Sequence, residues 1–219
     1  MRINKYIAQS TSLSRRAADT AIADGRVQLN GQTPDAGSQV SSGDIVTIDG
    51  RPINPDAQSR TVLINKPAGF VCSRNGQGSR TIYELLPERY RSLNSVGRLD
   101  KESSGLLVLT NNGELANTLT HPSYQKVKLY LVTLDKPLEP LHQQFIADKG
   151  IQLADGESKF GLQKIEDDAT RWRVTMFEGR NRQIRRTFEA LGYSVTALHR
   201  TQFGEYVLGD IAPAQIVEI

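Results

Sequence analysis

The residues with the clearest chemical potential lie between Val96 and Thr110. Asp100 stands there in the run Gly97-Arg98-Leu99-Asp100-Lys101-Glu102-Ser103-Ser104-Gly105, ahead of the apolar stretch Leu106-Leu107-Val108-Leu109. The segment reads as a tight connection between one strand and a buried one. Arg98 and Lys101 flank the aspartate, and Coulombic support of that kind keeps a carboxylate ionised. An ionised carboxylate can act as a nucleophile or remove a proton. Residue chemistry alone leaves a second reading open, with Asp100 as a turn or cap residue.

Absent motifs remove whole reaction classes. There is no Gly-rich phosphate loop followed by Lys-Ser/Thr, so nucleotide hydrolysis lacks its usual machinery. No G-x-G-x-x-G follows a strand, which speaks against a dinucleotide site, and Gly-x-Ser-x-Gly is absent. The histidines, His121, His142 and His199, have no metal-ligand spacing. The single cysteine, Cys72, excludes an internal disulfide framework and a cysteine zinc site. No metal and no cofactor is expected. The N-terminus has no apolar signal core, and no apolar run approaches the ~20 residues that span a bilayer. A reduced, cytoplasmic setting is the expectation.

The net charge of the 219 residues is only +3, yet it is unevenly placed. Between Arg171 and Arg186 six arginines (Arg171, Arg173, Arg180, Arg182, Arg185, Arg186) face one acid, Glu178. That window is +5 and leaves −2 for the rest of the chain. A second cluster, Arg2, Lys5, Arg15, Arg16 and Arg26 against Asp19 and Asp24, carries +3. Two such clusters suit a polyanion that touches the protein twice. A solvated face is the plainer reading of either one.

Positioning these residues falls to two regions. In the first, Ile3, Tyr6, Ile7 and Leu13 suggest a short helix and a turn. Ser14 sits where an N-cap belongs, Ala17, Ala18, Ala21 and Ile22 form a helical apolar stripe, and Gly25 is a stop. Val27-Gln28-Leu29 before Asn30-Gly31, and Ile45-Val46-Thr47-Ile48 before Asp49-Gly50, read as short strands ending in hairpin turns. The first region is therefore two helices on a small sheet. Arg15 and Arg16 fall in the first turn of the second helix, where the macrodipole disfavours cations but free N–H groups favour a phosphate. Asn54 to Ser59 reads as a linker. The second region carries strands at Thr61–Ile64, Leu106–Leu109, Leu129–Leu134 and Trp172–Met176, and a helix from Gln183 to Leu191 ending at Gly192. Irregular mixing of strands and helices points to an α+β fold, with units at 1–55 and 60–219.

Gly97-Arg98-Leu99-Asp100 with Ser104-Gly105-Leu106-Leu107, Asn65-Lys66-Pro67 upstream, and Glu178-Gly179-Arg180-Asn181-Arg182-Gln183-Ile184-Arg185-Arg186 downstream resemble the ribosomal RNA pseudouridine synthases of the RsuA type. The first region resembles the S4-type RNA-binding domain that many of them carry, through Ser14-Arg15-Arg16 and Val27-x-Leu29-Asn30-Gly31. The resemblance covers nearly the whole chain. It implies an S4-type domain followed by a catalytic domain built on a mixed, mainly antiparallel sheet. By the same resemblance Asp100 is the catalytic aspartate, Arg98 helps displace the flipped base, and Tyr130 stacks on the target uracil. Arg185 pairs with the carboxylate, Arg182 being the second choice, while Ile184 lines the apolar side and Lys66-Pro67 supports the pocket. Arg2, Lys5, Arg15, Arg16, Arg26, Arg180, Arg182 and Arg186 are the expected RNA contacts.

Converting uridine to pseudouridine moves no electron or group in or out, so it needs no cofactor, in keeping with the absent cofactor motifs. The expected function is site-specific isomerisation of uridine in ribosomal RNA, large-subunit rRNA favoured, by a monomer without membrane or small-molecule partners. The alternatives are a non-catalytic ribosome-assembly or RNA-binding factor that keeps the fold, and a methyltransferase, for which the cofactor's Gly-rich loop is missing.

Overall fold

A serine hydroxyl fixes where the second helix starts. In the computed structural model, which describes residues 1–11, 13–54 and 59–219, α1 spans Ile3–Ser10 and α2 spans Arg15–Ala23. Ser14 Oγ accepts the Ala17 N–H at 3.1 Å and caps α2. Gly25, at φ +71°, ends the helix in the left-handed conformation. Ile3, Ile7, Ala18, Ala21 and Ile22 close one core with Val27, Val40 and Val46. Strands β1 (Val27–Leu29), β2 (Val46–Ile48) and β3 (Arg51–Ile53) form an antiparallel sheet in that order.

The two turn signals behave differently. Asp49 and Gly50, at φ +49° and +74°, join β2 to β3 with Ile48 opposite Arg51, the pattern of a two-residue hairpin. Asn30 and Gly31 also turn, at φ +53° and +81°. There Leu29 bridges only to Gln32, and β1 pairs with β2 instead. The chain divides into two compact units, Met1–Ser59 and Arg60–Ile219. The linker expected at Asn54–Ser59 falls largely on residues 55–58, outside the described ones.

The second unit is built on one large sheet. Its elements are β4 (Thr61–Lys66), β5 (Asn94–Val96), β6 (Ser104–Thr110), α3 (Gly113–Thr120), β7 (Lys128–Leu134), α4 (Pro140–Gln144), β8 (Ile151–Leu153), β9 (Gly156–Ser158), β10 (Gly161–Ile165), β11 (Asp168–Met176), α5 (Gln183–Glu189), β12 (Val195–Phe203), β13 (Tyr206–Val207) and β14 (Ile216–Glu218), with short 3-10 and π turns between them. The sheet runs β10-β11-β7-β12-β6-β4-β14, with β13 on β12 and β5 on β6. Every pairing in it is antiparallel except β12 with β6. The fold is thus α+β, with a mixed, mainly antiparallel sheet.

β4 is buried at all six positions and β6 at the last six of its seven, which is why both read as continuous apolar runs. β7 and β11 alternate, with Tyr130, Val132, Leu134, Trp172, Val174 and Met176 buried. β12 gives no such run, because Thr, His, Arg and Gln interrupt it. The parallel contact of β12 with β6 depends on Gly105. At φ +104° a Cβ there would collide with the backbone N and O of Arg200, so only glycine lets the strands meet. No helix among the described residues is long and apolar enough to cross a membrane.

Candidate active site

The Asp100 loop is held by its backbone, which frees its carboxylate. Gly97, at φ +66°, turns the chain out of β5. Lys66, at the end of β4, is fully buried. Its ammonium donates to the carbonyls of Pro67 at 3.1 Å, Asp100 at 3.1 Å and Ser103 at 2.7 Å. Burial pushes the Lys66 pKa down, with Asp100 and Glu102 pulling the other way. Three carbonyl partners are what a buried ammonium requires. Cys72 adds a further clasp, its Sγ standing 3.4 Å from both the N and the O of Leu99. Burial raises the Cys72 thiol's pKa, so it packs as a neutral group.

The carboxylate of Asp100 opens into a cavity of about 400 Å³. Tyr130 on β7, Ile184 on α5, Leu198 on β12 and Met176 on β11 supply its apolar lining. Arg98, Arg182, Lys128 and Arg200 supply charge. Tyr130 and Ile184 are 7% and 4% exposed, so their free faces are those turned to the cavity. Arg98 is exposed. Asp100 and Arg98 therefore share one cavity with Tyr130 and Ile184, which are distant from them in sequence, so a carboxylate, an aromatic side chain and an apolar wall line the same space.

The cation at the carboxylate differs from the one expected. Arg182 Nη1 stands 3.7 Å from Asp100 Oδ2 and 3.2 Å from Glu102 Oε2. Arg182 sits at the N-cap of α5 in the left-handed conformation, φ +47°, which places it beside the loop. Arg185 lies one turn further in. Its Nη1 donates to Val195 O at 2.8 Å and its Nη2 to Ser103 Oγ at 3.3 Å. The ion pair expected of Arg185 is thus made by Arg182, and Arg185 reaches the loop through Ser103. Burial lowers the Arg185 pKa, Arg182 lowers it further, and Asp100 and Glu102 raise it. The Glu102 carboxyl is held below its usual range first by its own backbone N–H, which outweighs desolvation, with Arg182 adding to the lowering.

The basic window is less bare than its sequence. Arg186 pairs with Asp155 at 2.8 Å, and Arg180 with Asp155 at 3.1 Å and Glu178 at 3.5 Å. Arg180 also donates to the carbonyls of Asp155, Gly156 and Glu157. Arg171 lies 3.7 Å from Glu166. Acids from outside the window thus occupy much of its charge, and Arg180 braces the β8–β9 hairpin against α5. In the first unit Arg26 is paired to Asp49 through two bonds. Arg2 and Arg16 are exposed, and Arg15 is exposed with one bond to Asn4. Lys5 is half-buried on α1.

Among the cavity's cations, Lys128 and Arg200 are the ones that sequence reasoning missed. One signal existed: Leu198 and Arg200 share a face of β12, so an arginine interrupts an inward-facing row. Seeing it required β12 to be recognised as a strand.

The family model described as RNA pseudouridylate synthase matches residues 60–190, and that of the S4 domain matches residues 1–46. The chain is 38% identical to a "Ribosomal large subunit pseudouridine synthase B" of Xanthomonas campestris, over 100% of this chain and 47% of that one. It is 39% identical to a "Dual-specificity RNA pseudouridine synthase RluF" of Salmonella typhi, over 96% of this chain and 72% of that one. A relative in Aquifex aeolicus, named an RNA pseudouridine synthase, is 35% identical over 100% of this chain and 90% of its own length. The chain spans less than half the length of the Xanthomonas relatives. A crystal structure of a pseudouridylate synthase superposes with a TM-score of 0.72 at 31% identity, covering 100% of this chain and 96% of the other.

Proposed function

The chain belongs to the RNA pseudouridylate synthase family, and from that premise we propose that it isomerises specific uridines of ribosomal RNA to pseudouridine, with large-subunit rRNA the favoured substrate. The observation that carries this reading is the Asp100 carboxylate, held by its backbone at the edge of a cavity that also presents the Tyr130 ring. Relatives named as large-subunit synthases favour the large subunit.

The target base leaves its stack at a cost of about a few kcal/mol, which is lowest in a loop or single strand. Tyr130 offers it a replacement face, and Ile184, Leu198 and Met176 exclude water around it. Arg98, exposed and lining the cavity, takes up the space the base vacates. Asp100 acts at the ribose or the base, and the bond from C1′ to N1 breaks. The freed uracil turns in the cavity and rejoins C1′ through C5, its C5 proton being exchanged for one at N1. Arg182, 3.7 Å from Asp100 Oδ2, keeps the carboxylate in place. The S4 unit docks the RNA through Arg2, Arg15 and Arg16. The enzyme acts as a cytoplasmic monomer.

The test is an Asp100→Asn protein. It is expected to fold, to bind RNA with wild-type affinity, and to lose at least about 10²–10⁴-fold in pseudouridine formation. Retained activity would overturn the assignment. Pseudouridine mapping in rRNA from cells lacking the protein identifies the site.

A further inference from the structure

Two cations in the cavity have no task in the chemistry described so far. Arg200 is 2% exposed. Its Nε donates to Leu106 O at 2.8 Å, while its Nη2 has no hydrogen-bond partner. Its guanidinium lies over the Phe203 ring, 4.7 Å from the centroid. Lys128 is half-buried, with its Nζ 5.2 Å from the centroid of the same ring and 3.1 Å from the Lys126 carbonyl. The register explains the grouping, since Arg200 is opposite Tyr130 and Phe203 opposite Lys128 on neighbouring strands. All four residues line the Asp100 cavity.

The pair differs from the other buried or half-buried cations. Lys66 satisfies its ammonium with three carbonyls. Half-buried Arg180 and Arg186 each pair with an acid, and half-buried Arg185, which has no ion pair either, gives its N–H groups to Val195 O and Ser103 Oγ. Neither Arg200 nor Lys128 makes an ion pair among the described residues. Glu178 acts on Lys128 from a distance, but it is also engaged by Arg180 and by Gln183. Burial and the neighbouring Arg200 push the Lys128 pKa down, as expected when two like charges are placed together with little solvent. A buried guanidinium with an unused N–H group beside a second cation is costly to keep unless an anion joins it. In a cavity that accepts RNA, that anion is a phosphate of the backbone.

We propose that Arg200 and Lys128 form a phosphate subsite inside the cavity, which takes a phosphodiester adjoining the nucleotide whose base rests on Tyr130. The proposal rests on the RNA-substrate reading above and adds how the flipped nucleotide is gripped. The base is seated on Tyr130, and its backbone is anchored on the cross-strand neighbour. Arg200 donates in a planar fork suited to phosphate oxygens, and Lys128 adds a point charge.

The test compares uridine 3′,5′-bisphosphate with uridine as ligands of the intact protein, by calorimetry or by NMR titration. The bisphosphate is expected to bind wild type about tenfold or more tightly than uridine, the effect of one charge-assisted hydrogen bond or more. Lys128→Gln and Arg200→Gln should each remove most of that preference while leaving uridine affinity within about twofold. Arg200→Lys should restore part of it. If Arg200→Gln melts early because the Leu106 bond is lost, Lys128→Gln decides the matter, since a glutamine amide can also donate to the Lys126 carbonyl. Equal binding of the two ligands by wild type, or equal loss of both in the variants, overturns the proposal. The readout needs no turnover. A phosphate preference without any pseudouridine formation would therefore refute the function and leave the subsite standing.

Discussion

Arg15 and Arg16 share a formal charge with Arg182, Arg185 and Arg200, and little else. The first two stand exposed on the opening turn of a short helix, and no acid pairs with either among the described residues. The other three are fixed by neighbours: Arg182 by Asp100 and Glu102, Arg185 by Val195 and Ser103, Arg200 by Leu106 and the Phe203 ring. A mobile exposed cation contributes long-range attraction that salt screens. A cation with a fixed position contributes geometry, and screening matters less where water is scarce. The difference predicts that one unit governs affinity and the other governs rate.

The largest expected effect breaks the frame that fixes the second set. Gly105→Ala forces a Cβ against the Arg200 backbone at a positive φ. Strain and overpacking together should cost about 3–5 kcal/mol, lowering Tm by on the order of 10 °C. Gly97→Ala meets a Thr120 methyl at 3.7 Å and a Phe203 ring carbon at 4.0 Å, both ordinary contacts, so its cost is the positive φ, about 1 kcal/mol. Thermal melts of the two variants should keep that order. Similar melts would show that the β6–β12 contact is more compliant than its geometry.

A smaller effect separates the two arginines of α5. Arg182→Gln removes the cation nearest Asp100 and should lower kcat about 10–100-fold with little change in KM. Arg185→Gln should act chiefly on stability, because Val195 O and Ser103 Oγ lose a donor. Single-turnover rates at saturating RNA, set beside thermal melts, distinguish the roles. A larger kcat loss in Arg185→Gln than in Arg182→Gln would return the pairing role to Arg185.

The same contrast explains what could be read from the chain. Helix α2 was legible because a capping serine, an apolar stripe and a stop glycine agree. β4 and β6 were legible because burial on both faces leaves continuous apolar runs. Asp100 and Tyr130 came from a family pattern; residue types alone left the aspartate open to a turn role. β12 stayed hidden because its inward row includes Arg200, and with it went the second half of the cavity. The pairing of Arg182 depends on the left-handed N-cap of α5, a backbone feature that the neighbouring Asn181 and Gln183 do not announce. The +5 window looked like a bare cationic surface for a polyanion because its counter-charges, Asp155 and Glu166 among them, lie outside it in sequence.

The smallest effect concerns the exposed arginines. An Arg15→Gln, Arg16→Gln double variant should weaken RNA binding and flatten its dependence on salt. Each phosphate contact on single-stranded RNA adds about 0.7 to the slope of log K against log salt, so losing two should reduce it by about 1.4. Arg26 provides the internal reference. Its guanidinium is paired to Asp49 by bonds of 2.9 and 2.6 Å, and each of the two raises or lowers the other's pKa in the sense of a stable pair. A phosphate would have to displace that carboxylate, so Arg26→Gln should change the slope less than either single Arg15 or Arg16 substitution. Binding measured from about 50 to 200 mM salt resolves these differences. The comparison between the units fails if the double variant keeps the wild-type slope, or if its single-turnover rate falls at saturating RNA, because exposed charge would then be setting geometry as well as attraction.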